Sequence, residues 1–251
     1  MLTDEQRVRY ERQVLFRPIG EAGQERLHER SVLVAGVGAI GAAAAMILSR
    51  GGVGTLHLVD HDKVELSNLQ RQLLYDEADV AGSRPKAERA AEKLRRGNSD
   101  IQIIPHVERF TDENACPLLE GVDLVIDAVD NFRAKFALNR ACLQAGIPLM
   151  YGAVSGSFGM MMPIIPGRTA CLCCLYCDEP DPGSSETAAT AGVIPPIVLT
   201  IASLQCAQAL KWLSGATDEM VTDVVQVDVW EGEFALLPAA RRANCAACGD
   251  L

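Results

Sequence analysis

A glycine pattern followed by an acidic residue is the first part of this sequence that could carry chemistry. The pattern is Gly36-x-Gly38-x-x-Gly41, and Asp60 follows its last glycine by 19 positions. Glycines allow a tight turn in which backbone N–H groups approach a phosphate at a helix N-terminus, and an acidic residue at this distance can bind ribose hydroxyls. Taken alone, the pattern also fits a nicotinamide dehydrogenase or a purely structural βα turn.

Polar residues beyond Asp60 favour a triphosphate over a hydride carrier. The segment Ser67-Asn68-Leu69-Gln70-Arg71 begins seven residues after Asp60, and Lys86 opens a charged helical stretch. The side-chain amide and guanidinium groups of the segment 67–71, together with the Lys86 ammonium, are suited to phosphate contacts. Asp130 is a candidate Mg²⁺ ligand, since Mg²⁺ usually takes one or two carboxylates together with phosphate oxygens. For each residue alone, an ordinary solvated side chain is the alternative.

Two cysteine pairs predict a metal site. Cys171-x-x-Cys174 and Cys245-x-x-Cys248 are separated by 70 residues. Four thiolates in two such pairs match a closed, tetrahedral, structural zinc site, and unligated or redox-active thiols are the alternative. Cys173 and an overlapping Cys174-x-x-Cys177 mean that spacing alone does not fix the first pair.

Composition restricts the class of protein. The chain has 251 residues, 49% of them apolar and 22% charged, which fits one large globular α/β domain. A net charge of −10 argues against nucleic acid or an anionic membrane as the main partner. The N-terminus is polar, and the apolar stretches 35–48 and 191–204 fall short of the roughly 20 residues of a spanning helix. We therefore expect a cytoplasmic protein.

Alternating strand and helix patterns must position these residues. Such alternation predicts a Rossmann-like, mostly parallel sheet with helices on both faces. The stretch 177–192 is rich in proline, glycine and serine and is the best candidate for a mobile loop. The predicted strands are 31–35, 55–59, 101–105, 124–126, 224–229 and 233–237, and the predicted helices are about 39–50, 86–96 and 196–213.

The sequence resembles the ThiF/MoeB/HesA family of adenylyltransferases, which are akin to one half of the ubiquitin-activating enzymes. The resemblance covers nearly the whole chain. It rests on Arg9 to Gln13, Gly23-Gln24, the glycine pattern, Gly52 to Gly54, Asp60 to Asp62, Ser67 to Gln72, Arg84 to Lys86, Asp127 to Asn131, Thr190 to Val193 and both cysteine pairs. It implies one adenylation domain over 1–251, with an N-terminal helical segment (1–30), a nucleotide-binding core (31–135) and a carrier-binding, zinc-bearing part (136–251) that ends in antiparallel strands.

The activity implied by this resemblance is ATP-dependent adenylation of the C-terminal Gly-Gly carboxylate of a small ubiquitin-like sulfur-carrier protein. The family implies a homodimer, Mg²⁺, a structural zinc, and a sulfur donor of the cysteine desulfurase or rhodanese type. A thiamine-type carrier comes first and a molybdopterin-type carrier second. The implied catalytic residues are Arg12, which reaches the ATP of the neighbouring subunit, Arg71, Lys86 and the Mg²⁺ ligand Asp130. The implied nucleotide-binding residues are Gly36, Gly38, Ala39, Gly41, Asp60, Asp62, Ser67, Asn68, Leu69, Gln70, Arg71, Lys86, Asp130 and Asn131. The implied zinc ligands are Cys171, Cys174, Cys245 and Cys248.

The sequence departs from the family pattern in three places. Ala39 replaces a usual glycine but keeps its backbone N–H, and the segment 81–85 before Lys86 is slightly long. Ala188 stands where many members have a loop cysteine that bonds covalently to the carrier, and Cys177 is the nearest substitute. The alternatives are adenylation of another carboxylate (peptide or tRNA-base activation), a nicotinamide-dependent oxidoreductase, and a catalytically inactive scaffold.

Overall fold

The computed structural model describes residues 1–180 and 188–251, and strands and helical segments alternate between residues 31 and 155. The strands are β1 (Ser31–Ala35), β2 (Thr55–Val59), β3 (Gln102–His106), β4 (Leu124–Asp127), β5 (Leu149–Ser155), β6 (Phe158–Ile164), β7 (Val224–Asp228) and β8 (Glu233–Leu237). The helices are α1 (Asp4–Val14), α2 (Gly20–His28), α3 (Ala39–Arg50), α4 (Glu77–Gly82), α5 (Lys86–Gly97), α6 (Ala115–Leu119), α7 (Phe132–Ala145), α8 (Leu172–Tyr176), α9 (Ala188–Ala191) and α10 (Pro195–Ser214). Short 3-10 turns span Leu66–Asn68 and Thr217–Glu219.

The strands form one mixed sheet in the order β3-β2-β1-β4-β5-β6-β7-β8. The first five in this order are parallel, and β6, β7 and β8 each pair antiparallel to the preceding strand. The prediction of a mostly parallel sheet with antiparallel C-terminal strands is confirmed. Strands β5 and β6 and helix α7 were not predicted. A tight turn at Gly156, whose φ is +61°, joins the two strands as a hairpin.

Helices cover both faces of the sheet. Helices α3, α5 and α10 bury one face, with Val34, Leu58 and Ile126 in that core. Helices α6 and α7 bury the other face, with Leu33 and Val125 in a second core that extends to the cysteine pairs. Both faces of β1 and β4 are therefore buried, which explains their unbroken apolar sequences.

Among the described residues, α10 is the helix long and apolar enough to cross a membrane by length and composition alone. The predicted helix 196–213 agrees with α10, which has 20 residues, whereas the apolar stretch counted from the sequence ended at residue 204. The helix packs against α3, β5 and β6. At Gly159 on β6, an added Cβ would lie 2.5 Å from Ile201 of α10, so helix and strand are in close contact. This is the packing of a core helix.

The strand order reverses between β1 and β4. From β1 the chain adds β2 and β3 on one side and then crosses to add β4 and β5 on the other. In open α/β sheets, ligands bind beyond the carboxyl ends of the strands at such a reversal. The glycine loop follows β1, Asp60 follows β2, and the segment from Ala128 to Asn131 follows β4. Three predicted motifs therefore meet at one edge of the sheet.

Candidate active site

The glycine loop leaves no room for side chains at two of its positions. Gly36 has a φ of +87°, and a Cβ there would lie 2.7 Å from the Ala128 carbonyl oxygen. At Gly41 a Cβ would lie 1.9 Å from the Gly36 carbonyl oxygen. Gly38 is the N-cap of α3 and supplies no side chain to its first turn. The N–H groups of that turn can therefore bind an anion.

Asp60 connects the glycine loop to the end of β2. Its Oδ2 accepts a hydrogen bond from the Val37 backbone N–H at 2.7 Å, and its Oδ1 accepts one from the Asp62 N–H at 2.8 Å. Burial raises the pKa of Asp60, and these backbone N–H groups oppose the rise. The structure thus brings the predicted ribose-binding acid into direct contact with the predicted phosphate-binding loop.

Lys86 lies beside the same acidic segment. Its Nζ forms an ion pair with the Asp62 carboxylate at 3.2 Å, and its backbone N–H donates to the Asp62 carbonyl at 2.7 Å. The Lys86 side chain is buried, and the Tyr75 hydroxyl donates to the Val37 carbonyl at 2.8 Å beside it. The slightly long segment 81–85 therefore does not keep Lys86 away from the site.

The segment from Ser67 to Arg71 is a folded turn. Asn68 is buried and accepts a hydrogen bond from the Glu65 N–H through Oδ1 at 3.1 Å. The Arg71 guanidinium donates to the Ser67 carbonyl at 2.9 Å. Gln70 is exposed and Leu69 packs against the core. The side-chain Oδ1 of Asn68 is thus used within the turn, which leaves its Nδ2 amide as the group suited to a phosphate.

Asp130 and Asn131 lie in the turn between β4 and α7. Asn131 caps α7, because its Oδ1 accepts from the Ala134 N–H at 2.9 Å, while its Nδ2 donates to the Asp130 carboxylate at 3.2 Å. Asp130 is exposed. One accessible carboxylate of fixed orientation fits Mg²⁺ bound largely through nucleotide oxygens and water.

No role for Lys135 was predicted, yet it forms a buried ion pair with Asp127 at 3.0 Å.

Burial raises the pKa of Asp127, and the Lys135 ammonium opposes that rise. In the sequence, Asp127 was recognised only as part of the segment Asp127 to Asn131. The available signal was a lysine four positions after Asn131, in the segment that follows the predicted strand 124–126, because a charged residue that faces a sheet requires a partner.

Arg12 differs from the other predicted site residues. Its side chain is 87% exposed, and within the described ranges its charged partner is neighbouring Glu11 at 3.6 Å. The structure does not bring Arg12 to the glycine loop of its own chain.

The four predicted zinc ligands form one cluster. The Sγ atoms of Cys171 and Cys174 are 4.0 Å apart, those of Cys171 and Cys245 are 3.7 Å apart, and those of Cys174 and Cys248 are 3.6 Å apart. A tetrahedral Zn²⁺ with Zn–S bonds of about 2.3 Å requires sulfur separations of roughly 3.8 Å. Cys173 is outside this four-thiol cluster. The arrangement is compatible with zinc.

Cys177 is also outside the cluster, and its Sγ accepts from the Arg242 guanidinium at 3.3 Å. The predicted mobile loop 177–192 falls partly on residues 181–187, which lie outside the described residues. Ala188 begins the short helix α9.

Comparison with known proteins identifies the family. The model of the ThiF family matches residues 10–247. The chain belongs to the ThiF family. This assignment agrees with the resemblance drawn from the sequence motifs, which is therefore confirmed.

Curated relatives of this ThiF-family chain are adenylyltransferases, that is, nucleotidyltransferases. A sulfur carrier protein ThiS adenylyltransferase from Bacillus subtilis is 42% identical over 243 residues, which are 96% of this chain and 71% of that protein. A sulfur carrier protein adenylyltransferase from Thermus thermophilus is 36% identical and covers 99% of this chain and 93% of that protein. The molybdopterin-synthase adenylyltransferase of Escherichia coli is 35% identical, with 99% of both chains covered.

Solved structures show the same fold at low identity. A crystal structure of E. coli MccB with ATP has a TM-score of 0.84 at 22% identity and covers 96% of this chain and 75% of that chain. A structure of PaaA has a TM-score of 0.79 at 20% identity.

Proposed function

We propose that this chain uses ATP to adenylate the C-terminal Gly-Gly carboxylate of a small ubiquitin-like sulfur-carrier protein. The observation that carries the proposal is the Asp60 carboxylate, which holds the glycine loop through Val37 and the Lys86-bearing segment through Asp62. A ribose-binding acid, a phosphate-binding helix terminus and a cation thus converge. The adenylyltransferase names of the relatives supply the reaction class.

In this proposal each group acts on ATP by position and charge. Asp60 binds the ribose, and the first N–H groups of α3 bind phosphate oxygens. The amide of Asn68 and the cations of Arg71 and Lys86 neutralise phosphate charge. Asp130, oriented by Asn131, holds Mg²⁺, which when bound lowers the negative charge on the phosphate oxygens.

The reaction needs little from a general base. A carboxylate oxygen of the carrier attacks the α-phosphorus, the bond from that phosphorus to the bridging oxygen breaks, and pyrophosphate leaves with the electron pair. The carboxylate is already ionised near pH 7, so no proton has to be removed. Orientation of the two reactants and stabilisation of phosphate charge are therefore sufficient as the protein's contribution.

The finer assignments belong to the same proposal. The preferred substrate is a thiamine-type carrier, because the relative at 42% identity is a ThiS adenylyltransferase. A molybdopterin-type carrier is the second candidate. The enzyme acts as a cytoplasmic homodimer, with Zn²⁺ at the four-thiol cluster and a desulfurase- or rhodanese-type sulfur donor. Residues 1–251 form one adenylation domain with the three parts drawn from the sequence.

Carrier-dependent exchange of radiolabelled pyrophosphate into ATP tests the proposal. We expect exchange with a thiamine-type carrier ending in Gly-Gly and none when its last glycine is removed. Asp130→Ala should lower the exchange at least about 100-fold with an unchanged melting temperature, because one electrostatic contact to the transition state is lost. Asp112→Ala, which removes an exposed carboxylate paired with Arg140, is the matched control. Exchange that proceeds with a short peptide or a tRNA but with no carrier would contradict the proposal.

A further inference from the structure

The turn between β4 and α7 is packed directly against the glycine loop. A Cβ at Gly36 would lie 2.7 Å from the Ala128 carbonyl oxygen. Two positions further along is Asp130, whose carboxylate is exposed. A shift of this turn would therefore move the carboxylate and disturb the loop together.

One residue, Lys135, closes this turn at both of its ends. Its backbone N–H donates to the Asn131 carbonyl at 3.1 Å, which fixes the end that enters α7. Its Nζ donates to both oxygens of Asp127 at 3.0 Å, which fixes the end that leaves β4. The same ammonium donates to the Gly152 carbonyl on β5 at 2.6 Å. Three elements of the fold thus meet at one ammonium group.

Asp127 passes this constraint on to the middle of the turn. Its side chain is fully buried, and its Oδ1 accepts a hydrogen bond from the Val129 N–H at 3.2 Å. Its backbone carbonyl accepts from Gln205 Nε2 of α10 at 2.8 Å. The ion-paired carboxylate therefore holds the peptide between Ala128 and Val129, one residue before Asp130.

Net stability is a poor explanation for this ion pair. The cost of removing two charges from water roughly cancels their attraction, and well-packed apolar residues serve as well or better. The Lys135 ammonium also lies 5.1 Å from the centre of the Tyr151 ring, at the distance of a cation–π contact. What an apolar pair lacks is directed hydrogen bonding to the turn.

We infer that Lys135 is a positioning residue that, through Asp127, fixes the turn carrying Asp130 and so orients that carboxylate toward the metal ion of the bound nucleotide. The inference rests on the proposed function for the role of Asp130. The Lys135 side chain is buried and its ammonium donates to Asp127 and Gly152, so in this inference it acts on the nucleotide site only through the turn. It belongs to the outer shell of contacts, whose loss typically lowers metal affinity or activity about 10- to 100-fold.

The Mg²⁺ dependence of pyrophosphate exchange is the first measurement. We expect Lys135→Met to raise the Mg²⁺ concentration for half-maximal exchange by about 10- to 100-fold, and to leave binding of ATP without Mg²⁺ unchanged. Lys135→Arg, which retains the charge and the donors, should keep most of the wild-type response. Arg140→Met removes an exposed ion pair with Asp112 on the same helix and should have no effect.

Hydrogen–deuterium exchange gives a readout that does not need the reaction. In Lys135→Met the amides of 128–131 should exchange faster, while those of β1 and β2 keep their protection and Arg140→Met behaves as wild type. If Lys135→Met does not fold, the double variant Asp127→Asn with Lys135→Met removes both charges, and the same changes are expected. An unchanged Mg²⁺ response, or equal loss of protection across the whole sheet, would overturn the inference. If the wild-type protein shows no carrier-dependent pyrophosphate exchange, the proposed function is wrong. Hydrogen–deuterium exchange of the amides of 128–131 would still test the positioning role of Lys135.

Discussion

Asp60 illustrates how residues at this site hold one another through their own hydrogen bonds. Its two oxygens each accept one backbone N–H, from Val37 and Asp62. A carboxylate has about four acceptor positions, so two remain for ribose hydroxyls. The side-chain oxygens of Asn68 and Asn131 likewise accept hydrogen bonds from the local backbone. Pre-positioned groups lose little conformational freedom on binding, which favours catalysis by orientation.

At the residue scale, the loop cysteine of the family gives a prediction. Ala188 has no thiol, and the Cys177 thiol is held by Arg242, which also donates to the Cys173 carbonyl. We expect no covalent carrier–enzyme adduct after incubation with carrier and MgATP, because the acyl-adenylate is passed on without capture. Mass spectrometry under non-reducing conditions checks this. An adduct that is lost on reduction and missing in Cys177→Ala would make Cys177 catalytic.

At the element scale, the sequence predicted some elements well and missed others for definable reasons. The bounds of β1, β2, α3 and β8 were predicted correctly, because turn residues or the glycine loop flank them. Strand β5 was missed since its first four residues are buried and carry no alternation of polar and apolar side chains. The site residues were proposed from their types and spacing, and their roles stay predictions. Their mutual contacts, such as that of Asp60 with Val37, depend on strand order and could not be read from the sequence.

The four-thiol cluster is the element-scale feature most open to test. We expect one zinc per chain in the wild type. Cys245→Ser should lose that zinc and lower the melting temperature by at least about 5 °C, because metal binding contributes to the free energy of folding. Atomic absorption and calorimetric melting provide the measurements. Cys116→Ser, at an exposed cysteine outside the cluster, should change neither. Full zinc content with unchanged melting in Cys245→Ser would contradict the ligand assignment.

At the scale of the whole molecule, helix α1 presents Arg12 outward from a rigid base. The Tyr10 hydroxyl donates to Asp100 at 3.0 Å, and Gln13 donates to the Gly51 carbonyl at 2.8 Å. Beyond α1, Leu15 and Phe16 are exposed apolar residues. A helix that is fixed by these hydrogen bonds, and that carries an exposed guanidinium beside exposed apolar residues, is suited to contact a second copy of the chain.

Mixing two inactive variants tests whether Arg12 acts across a dimer. Arg12→Ala and Asp130→Ala are each expected to be inactive alone. After subunit exchange in equal amounts, half of the dimers are mixed and each has one site with both residues intact, so about one quarter of the wild-type activity should return. Pyrophosphate exchange measures the recovery, and native mass spectrometry verifies the mixed dimer. If mixed dimers form but no activity returns, Arg12 does not act in the active site of the partner subunit.

The cysteine cluster also sets a condition on how the chain is made. Cys171 and Cys245 meet across 74 positions of sequence. At synthesis rates of about 5–20 residues per second, the first pair waits roughly 4–15 seconds for the second to emerge. During that interval its thiols are available to oxidants and to wrong partners. We therefore expect correct assembly of the cluster to require reducing conditions while the polypeptide is still growing.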